Sequence, residues 1–153
     1  MADNAERFTR FFSRTLSQNS SLRASRTYIL VKNSEAELRK EFTWAIRSRE
    51  DNKVKGLIIL REINWELGQG ELAYCIAQSH EGRGWVSQAV NDICQFLFTQ
   101  FDLTLLRLII HKSNTGSLRV AEKCGFVWKK TLHDHYTPPN ERTLDMELYE
   151  RHA

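Results

Sequence analysis

The chain has 153 residues, one domain's worth, since domains most often run to about 100 to 150 residues. With 41% hydrophobic, 10% aromatic and 27% charged residues and only 7 Gly and 2 Pro, it is not collagen-like, low-complexity or wholly disordered. The net charge of +3 equals the excess of Arg7, Arg10, Arg14, Arg23 and Arg26 over Asp3 and Glu6, so the rest is balanced and no basic stripe for nucleic acid is expected. Three cysteines, Cys75, Cys94 and Cys124, sit in apolar segments, which predicts buried thiols in a reducing, cytoplasmic setting and not a disulfide framework. The longest apolar stretch, residues 103–110, is interrupted by Thr104 and Arg107 and falls far short of the roughly 18 residues of a membrane span.

In chain order, Phe8, Phe11, Phe12 and Leu16 recur at helical spacing and predict an amphipathic helix over residues 4–17. Residues 18–25 read as a polar loop and 26–32 as a short β-branched strand. Ser34 with Glu37 has the form of a capping box opening a short helix over 35–40. From Phe42 the period becomes two. Phe42, Trp44 and Ile46 alternate with polar neighbours, and a turn at 50–53 leads into 56–63, so these runs predict an antiparallel pair. A second turn, with Gly68 and Gly70, leads into a strand over 71–77. Alternation puts Leu72, Tyr74 and Ile76 on one face and Glu71, Ala73, Cys75 and Ala77 on the other. A face with one carboxylate among small residues either leaves room for a ligand or lets a helix pack closely.

The next segment, Ser79-His80-Glu81-Gly82-Arg83-Gly84-Trp85-Val86, precedes a helix with apolar pairs at Trp85/Val86, Ala89/Val90, Ile93/Cys94 and Leu97/Phe98. A Gly-x-Gly turn at a helix start exposes backbone N–H groups at the positive end of the helix dipole, which favours an anionic phosphate. A dinucleotide site is not supported. The third glycine of that fingerprint would fall at Ser87, and the following strand, 105–110, ends at His111-Lys112 with no acidic residue for a ribose. After that strand Asn114 and Ser117 open a short helix closed by Gly125, so Asn114 reads equally as an N-cap and as a ligand contact. His133-Asp134-His135 lacks partners at metal-site spacing and reads as a solvated turn, so no metal is expected.

In this order and spacing, the strand, Gly-x-Gly helix, strand, Asn-x-x-Ser helix and Gly-Phe strand resemble the GNAT family of N-acetyltransferases, and within it the RimJ/RimL-like branch that acetylates ribosomal-protein N-termini. The resemblance covers roughly residues 42–149. The family's Gln/Arg-x-x-Gly-x-Gly/Ala loop falls on Glu81, Gly84 and Val86, with Gly82 and Trp85 as in this branch, and Glu122-Lys123-Cys124-Gly125-Phe126 is similar to its Glu-Lys-x-Gly-Phe ending. Glu81 and Val86 depart from the usual residues. So does the N-terminus: the family places a first strand and two helices where about 40 residues stand here. Either 26–32 replaces that strand or the chain is a shortened relative.

The resemblance implies a single α/β domain with a mixed, mostly antiparallel sheet flanked by helices. Residues 1–41 form its atypical N-terminal part and 42–149 the acyl-CoA-binding core. It implies acetyl-CoA as co-substrate and direct transfer to an amine in a ternary complex, with antiparallel strands splaying near 71–77. Pantetheine then bonds the backbone of Ile76 and Ala77, and the diphosphate sits on the N–H groups of Gly82, Arg83, Gly84, Trp85 and Val86. Glu71 is the implied base, Ser117 the acid toward the CoA sulfur, and Asn114 the residue orienting pantetheine or Ser117. Trp65, Asp134, His135 and Tyr136 are the expected acceptor contacts. An α-amine of pKa about 8 is roughly 10% neutral at pH 7, against under about 0.1% for lysine, so a protein N-terminus is the expected acceptor. A non-catalytic acyl-CoA-binding module and a small-molecule or aminoacyl-tRNA acetyltransferase remain the alternatives, and pairing of two copies through sheet edges stays open.

Overall fold

The computed structural model describes residues 5–153. Asn4, where the first predicted helix begins, lies outside the described residues. The expected single helix is two short ones, α1 (Ala5–Thr9) and α2 (Ser13–Ser17). Tertiary contacts break it. Phe8 turns inward, 8% exposed, while the Phe11 ring stacks on Tyr136 at 5.8 Å and lies 5.8 Å from His111.

The largest correction concerns residues 22–40. In place of a loop, a strand and a short helix, one helix α3 runs over Leu22–Glu37. Ser21 caps it, its hydroxyl accepting the Ala24 N–H at 3.2 Å, and no Gly or Pro interrupts it. Ser34 lies in its last turn and opens nothing. The helix stops because Arg39 takes φ 54°, with Arg39 N–H bonded to Ala36 O and Lys40 N–H to Glu35 O, the bond pair of a Schellman end. Tyr28 is buried and Lys32, Glu35 and Ala36 are half-buried, a helical stripe laid against the sheet that overrides the β-propensity of Thr27, Ile29 and Val31.

The predicted hairpins are present as β1 (Phe42–Arg47), β2 (Val54–Asn64) and β3 (Gln69–Ile76). Helix α4 (Trp85–Gln100) crosses to β4 (Leu105–Ile110), and α5 (Thr115–Lys123) leads into the hairpin of β5 (Val127–Tyr136) and β6 (Leu144–His152). The six strands lie in the order β1-β2-β3-β4-β6-β5, and every neighbouring pair is antiparallel except β3 and β4. This is the expected mixed, mostly antiparallel sheet. Residues 133–135 belong to β5 and form no turn; Asp134 sits in a bulge at φ 47°, its N–H donating to Asp145 Oδ1 at 3.0 Å.

Cross-strand register sorts the sheet into two faces. Phe42, Leu60 and Leu72 are opposite one another, as are Trp44, Ile58 and Tyr74. This face packs under α4, whose Val90, Cys94 and Leu97 are fully buried at i, i+4 and i+7. The other face carries Thr43, Ile59 and Ala73 in one row and Arg61 opposite Glu71 in the next, and α3 covers it. All three cysteines are buried thiols outside any disulfide. Burial raises the Cys94 thiol to about 12. Among the described residues no helix is long and apolar enough to cross a membrane.

Candidate active site

Strands β3 and β4 pair only over residues 69–71 and 105–107. Beyond that point each keeps its other neighbour, β3 pairing with β2 up to Ile76 and β4 with β6 up to Ile110, so a wedge opens between them. The splaying pair is parallel, which corrects the expectation of antiparallel strands. Ala77 N–H bonds to Lys55 O at 2.7 Å. Because successive residues point their backbone groups to alternate sides, and the Leu72 N–H closes the β3–β4 ladder, Tyr74 and Ile76 aim N–H and C=O into the wedge. The expected Ile76 contact therefore faces the opening, whereas the Ala77 N–H is already used by β2.

At one mouth of the wedge stands the start of α4. A single 3₁₀ turn (Gln78–His80) ends with Glu81 N–H bonded to Gln78 O, and the chain then passes Gly82 at φ 70° and Gly84 at φ 78°. The first carbonyl used inside α4 is Gly84 O, which accepts the Gln88 N–H, so the amides of Trp85, Val86 and Ser87 have no intrahelical acceptor. The first turn holds no acidic residue, and beyond the adjoining residues nothing lies within 4 Å of where a Cβ would stand on Gly82 or Gly84. A cavity of about 590 Å³ collects Ile76, Glu81, Gly82, Gly84, Trp85 and Val86 with Asn114 and Ser117. Arg83 does not line it. Arg119 and Lys123, two cations passed over in the sequence, do.

A second cavity of about 390 Å³ lies toward the α3 face, lined by Glu71, Ala73, Arg61, Lys32, His135 and Tyr136 among others. Phe11, Phe12, Tyr74, Asn114 and Ser117 line both cavities, so the two adjoin at the wedge. Glu71 is held by Arg61, whose Nε and Nη2 donate to Oε1 at 2.9 and 2.5 Å. Its Oε2 remains for another partner. Asn114 is the N-cap of α5, its Oδ1 accepting the Ser117 N–H at 3.1 Å. The Ser117 carbonyl accepts from the Tyr74 hydroxyl at 3.2 Å, which leaves Oγ as that residue's remaining polar atom. Burial pushes the Tyr74 phenol well above its ordinary range, so it stays protonated as a strut between β3 and α5.

Not every expected contact is brought in. Trp65 donates to Arg39 O at 3.0 Å and packs beneath its guanidinium, 4.0 Å away; it lines neither cavity, because it sits at the paired end of β3 with Phe42 and Phe101. Asp134 lines neither as well. His135 and Tyr136 do reach the second cavity, with the Tyr136 hydroxyl donating to Arg10 O at 2.8 Å. The sequence reading missed Tyr74, His111, Arg14 and the Phe11-Phe12 pair. His111 ending a strand beside the Asn-x-x-Ser helix was the available signal; the others depend on long-range packing. Among the described residues no group of three or more His, Cys, Asp or Glu side chains is placed to hold a metal.

A family model described as the acetyltransferase (GNAT) domain matches residues 1–127. The uncharacterized N-acetyltransferase p20 of Bacillus licheniformis is 26% identical over 106 residues, 69% of this chain and 59% of its own length. A spermidine N(1)-acetyltransferase of Vibrio cholerae is 32% identical over 81 residues, 53% of this chain and 47% of its own. The chain thus spans about half the length of the curated relatives it matches. The crystal structure of a ribosomal-protein-S5-alanine acetyltransferase from Vibrio fischeri shares the fold with a TM-score of 0.79 at 18% identity, covering 85% of this chain and 71% of that one.

Proposed function

The chain belongs to the GNAT acetyltransferase family, and on that premise we propose that it transfers an acetyl group from acetyl-CoA to a primary amine by direct attack in a ternary complex. The observation that carries this reading is the wedge between β3 and β4, which has free helix amides at one mouth and a second cavity at the other. The larger cavity fits the co-substrate: uncapped amides and Arg119 and Lys123 for phosphates, and an unpaired strand edge at Tyr74 and Ile76 for an extended amide-bearing arm. Acetyl-CoA supplies the thioester. Holding an amine against it from the second cavity contributes the greater part of the acceleration, about 7 to 11 kcal/mol where alignment is good.

The chain's own groups then handle protons. Glu71 Oε2 accepts the proton of the incoming ammonium, directly or through water, while Arg61 fixes the carboxylate. The Ser117 hydroxyl, at the junction of the cavities, is the donor toward the departing thiolate. Gly82 and Trp85 in the helix-start loop support assignment to the RimJ/RimL-like branch, with an α-amine as acceptor. A polyamine acceptor is the second reading, favoured by spermidine acetyltransferases among the relatives at 29 to 32% identity.

Calorimetry with acetyl-CoA followed by thiol release on peptide N-termini and spermidine tests the proposal. Saturable binding with release on at least one primary amine is expected. Tight binding without release on any amine would mean a non-catalytic acyl-CoA module, and absence of both would remove the transferase reading.

A further inference from the structure

Five charged side chains line the cavity under α3: Arg14, Lys32, Glu41, Arg61 and Glu71. Four of them are engaged with one another. Lys32 Nζ lies 2.5 Å from Glu41 Oε1 and 2.7 Å from Glu35 Oε2, and Arg61 holds Glu71. Arg14 alone of the five has no carboxylate partner among the described residues. With Glu35, which reaches Lys32 from the same helix, three cations stand beside three carboxylates that are all already paired, and Arg14 is the cation left over.

His111, on the same wall, adds a donor. Its Nδ1 accepts the Ser113 N–H at 3.3 Å and lies 2.7 Å from Ser113 Oγ, an arrangement that suits a neutral ring with its proton on Nε2. Burial first, then the nearby Arg10 and Lys112, lower its pKa, which favours the neutral ring.

A polyamine entering this space finds Glu41 held by Lys32 and Glu71 by Arg61, so once Glu71 Oε2 has taken the reacting amine each further ammonium has to share a paired carboxylate, while Arg14 stays without an anion. An acceptor that brings its own carboxylate instead meets Arg14 and the imidazole N–H, groups that donate and do not accept. We propose that the acceptor is a primary amine bearing a carboxylate near the amine, with Arg14 as the residue that selects for that carboxylate. This rests on the transferase reading of the same cavity.

The test compares matched acceptors on the full chain: Ala-Glu-Ala amide against Ala-Gln-Ala amide, free alanine against alaninamide, and spermidine. Steady-state thiol release is expected to show a KM about fivefold lower for the carboxylate member of at least one pair, the size of a solvent-exposed ion pair. A preference within the peptide pair means the carboxylate comes from a peptide side chain, and one within the amino-acid pair means a free zwitterion. In Arg14→Gln the ratio within the pair is expected to fall to within about twofold, with Arg14→Lys restoring part of it.

Equal values within both pairs, a preference undiminished in Arg14→Gln, or spermidine exceeding every carboxylate-bearing amine in kcat/KM would overturn the proposal. Calorimetric Kd values for the same pairs on CoA-loaded protein read the preference independently of turnover. A retained preference with no thiol release on any acceptor would sink the transferase reading and leave the selectivity standing.

Discussion

Over residues 69–71, β3 lies hydrogen-bonded beside β4, whereas over residues 72–76 it has no strand on that side. The paired end is filled: Leu60 and Leu106 are fully buried, and a Cβ on Gly70 would stand 2.7 Å from a Leu60 methyl. The open end keeps the same strand but gives up its ladder, so its backbone donors and acceptors are available to a ligand. Unpaired buried amides are costly, which is why the opening lies next to cavities and the uncapped start of α4 and not inside the leucine cluster. Stability is concentrated at one end of the pair and chemistry at the other.

That division can be broken from either end. The largest expected effect lies at the open end, where Glu71→Gln should lower kcat by about 10² to 10⁴ in a thiol-release assay; a loss under about threefold would dismiss Glu71 as the base. At the closed end, Leu106→Ala should cost about 2 to 5 kcal/mol in urea unfolding while acetyl-CoA affinity of the folded fraction stays unchanged. A coupled loss of both would mean the two ends are not separable.

Smaller changes sharpen the contrast. Gly84→Val puts a β-branched residue at φ 78° with open space around it, so its penalty is conformational, about 1 to 2 kcal/mol. It falls on the amides at the slot, weakening acetyl-CoA by about tenfold in calorimetry. Asn114→Ala removes the α5 cap and should cost about 1 kcal/mol of stability in the same urea assay.

The least effect is expected in the β1–β2 turn, far from the wedge. Asp51, bonded first by Lys55 and then by the Lys53 N–H, has its pKa lowered from 3.8 to about 2. A carboxylate with a depressed folded pKa stabilises the fold above its unfolded value and loses that contribution as pH falls. Protection of the Lys53 amide, its exchange rate corrected for the intrinsic rate at each pH, should therefore fall between about pH 4 and pH 2, the range of the two pKa values, with thiol-release kinetics after return to neutral pH unaffected.

Much of the core was legible in the letters. The period-two runs of Phe42, Trp44 and Ile46 and of Leu72, Tyr74 and Ile76 became β1 and β3. The repeat of four after Gly84 became α4. Gly125 ends α5 at φ 74°, with Phe126 N–H on Ala121 O and Gly125 N–H on Glu122 O. These features depend on residues within a few positions of one another, through period, capping and positive φ, so a single sequence carries them.

Other features needed the assembled chain. Thr27, Ile29 and Val31 favour a strand weakly, and only docking of Tyr28 and Lys32 on the sheet makes their segment a helix. The point where β3 and β4 part, the capture of Glu71 by Arg61 across a hairpin, the placement of Phe11 against Tyr136 and the isolation of Arg14 all join residues distant in the chain or depend on which cross-chain pairs form. The sequence by itself determined the elements from β1 to α5 and the loop able to receive a phosphate, but not the full length of β5. Tertiary structure alone decided which charges neutralise one another and which face the acceptor, because that depends on proximity in space, which local pattern does not encode.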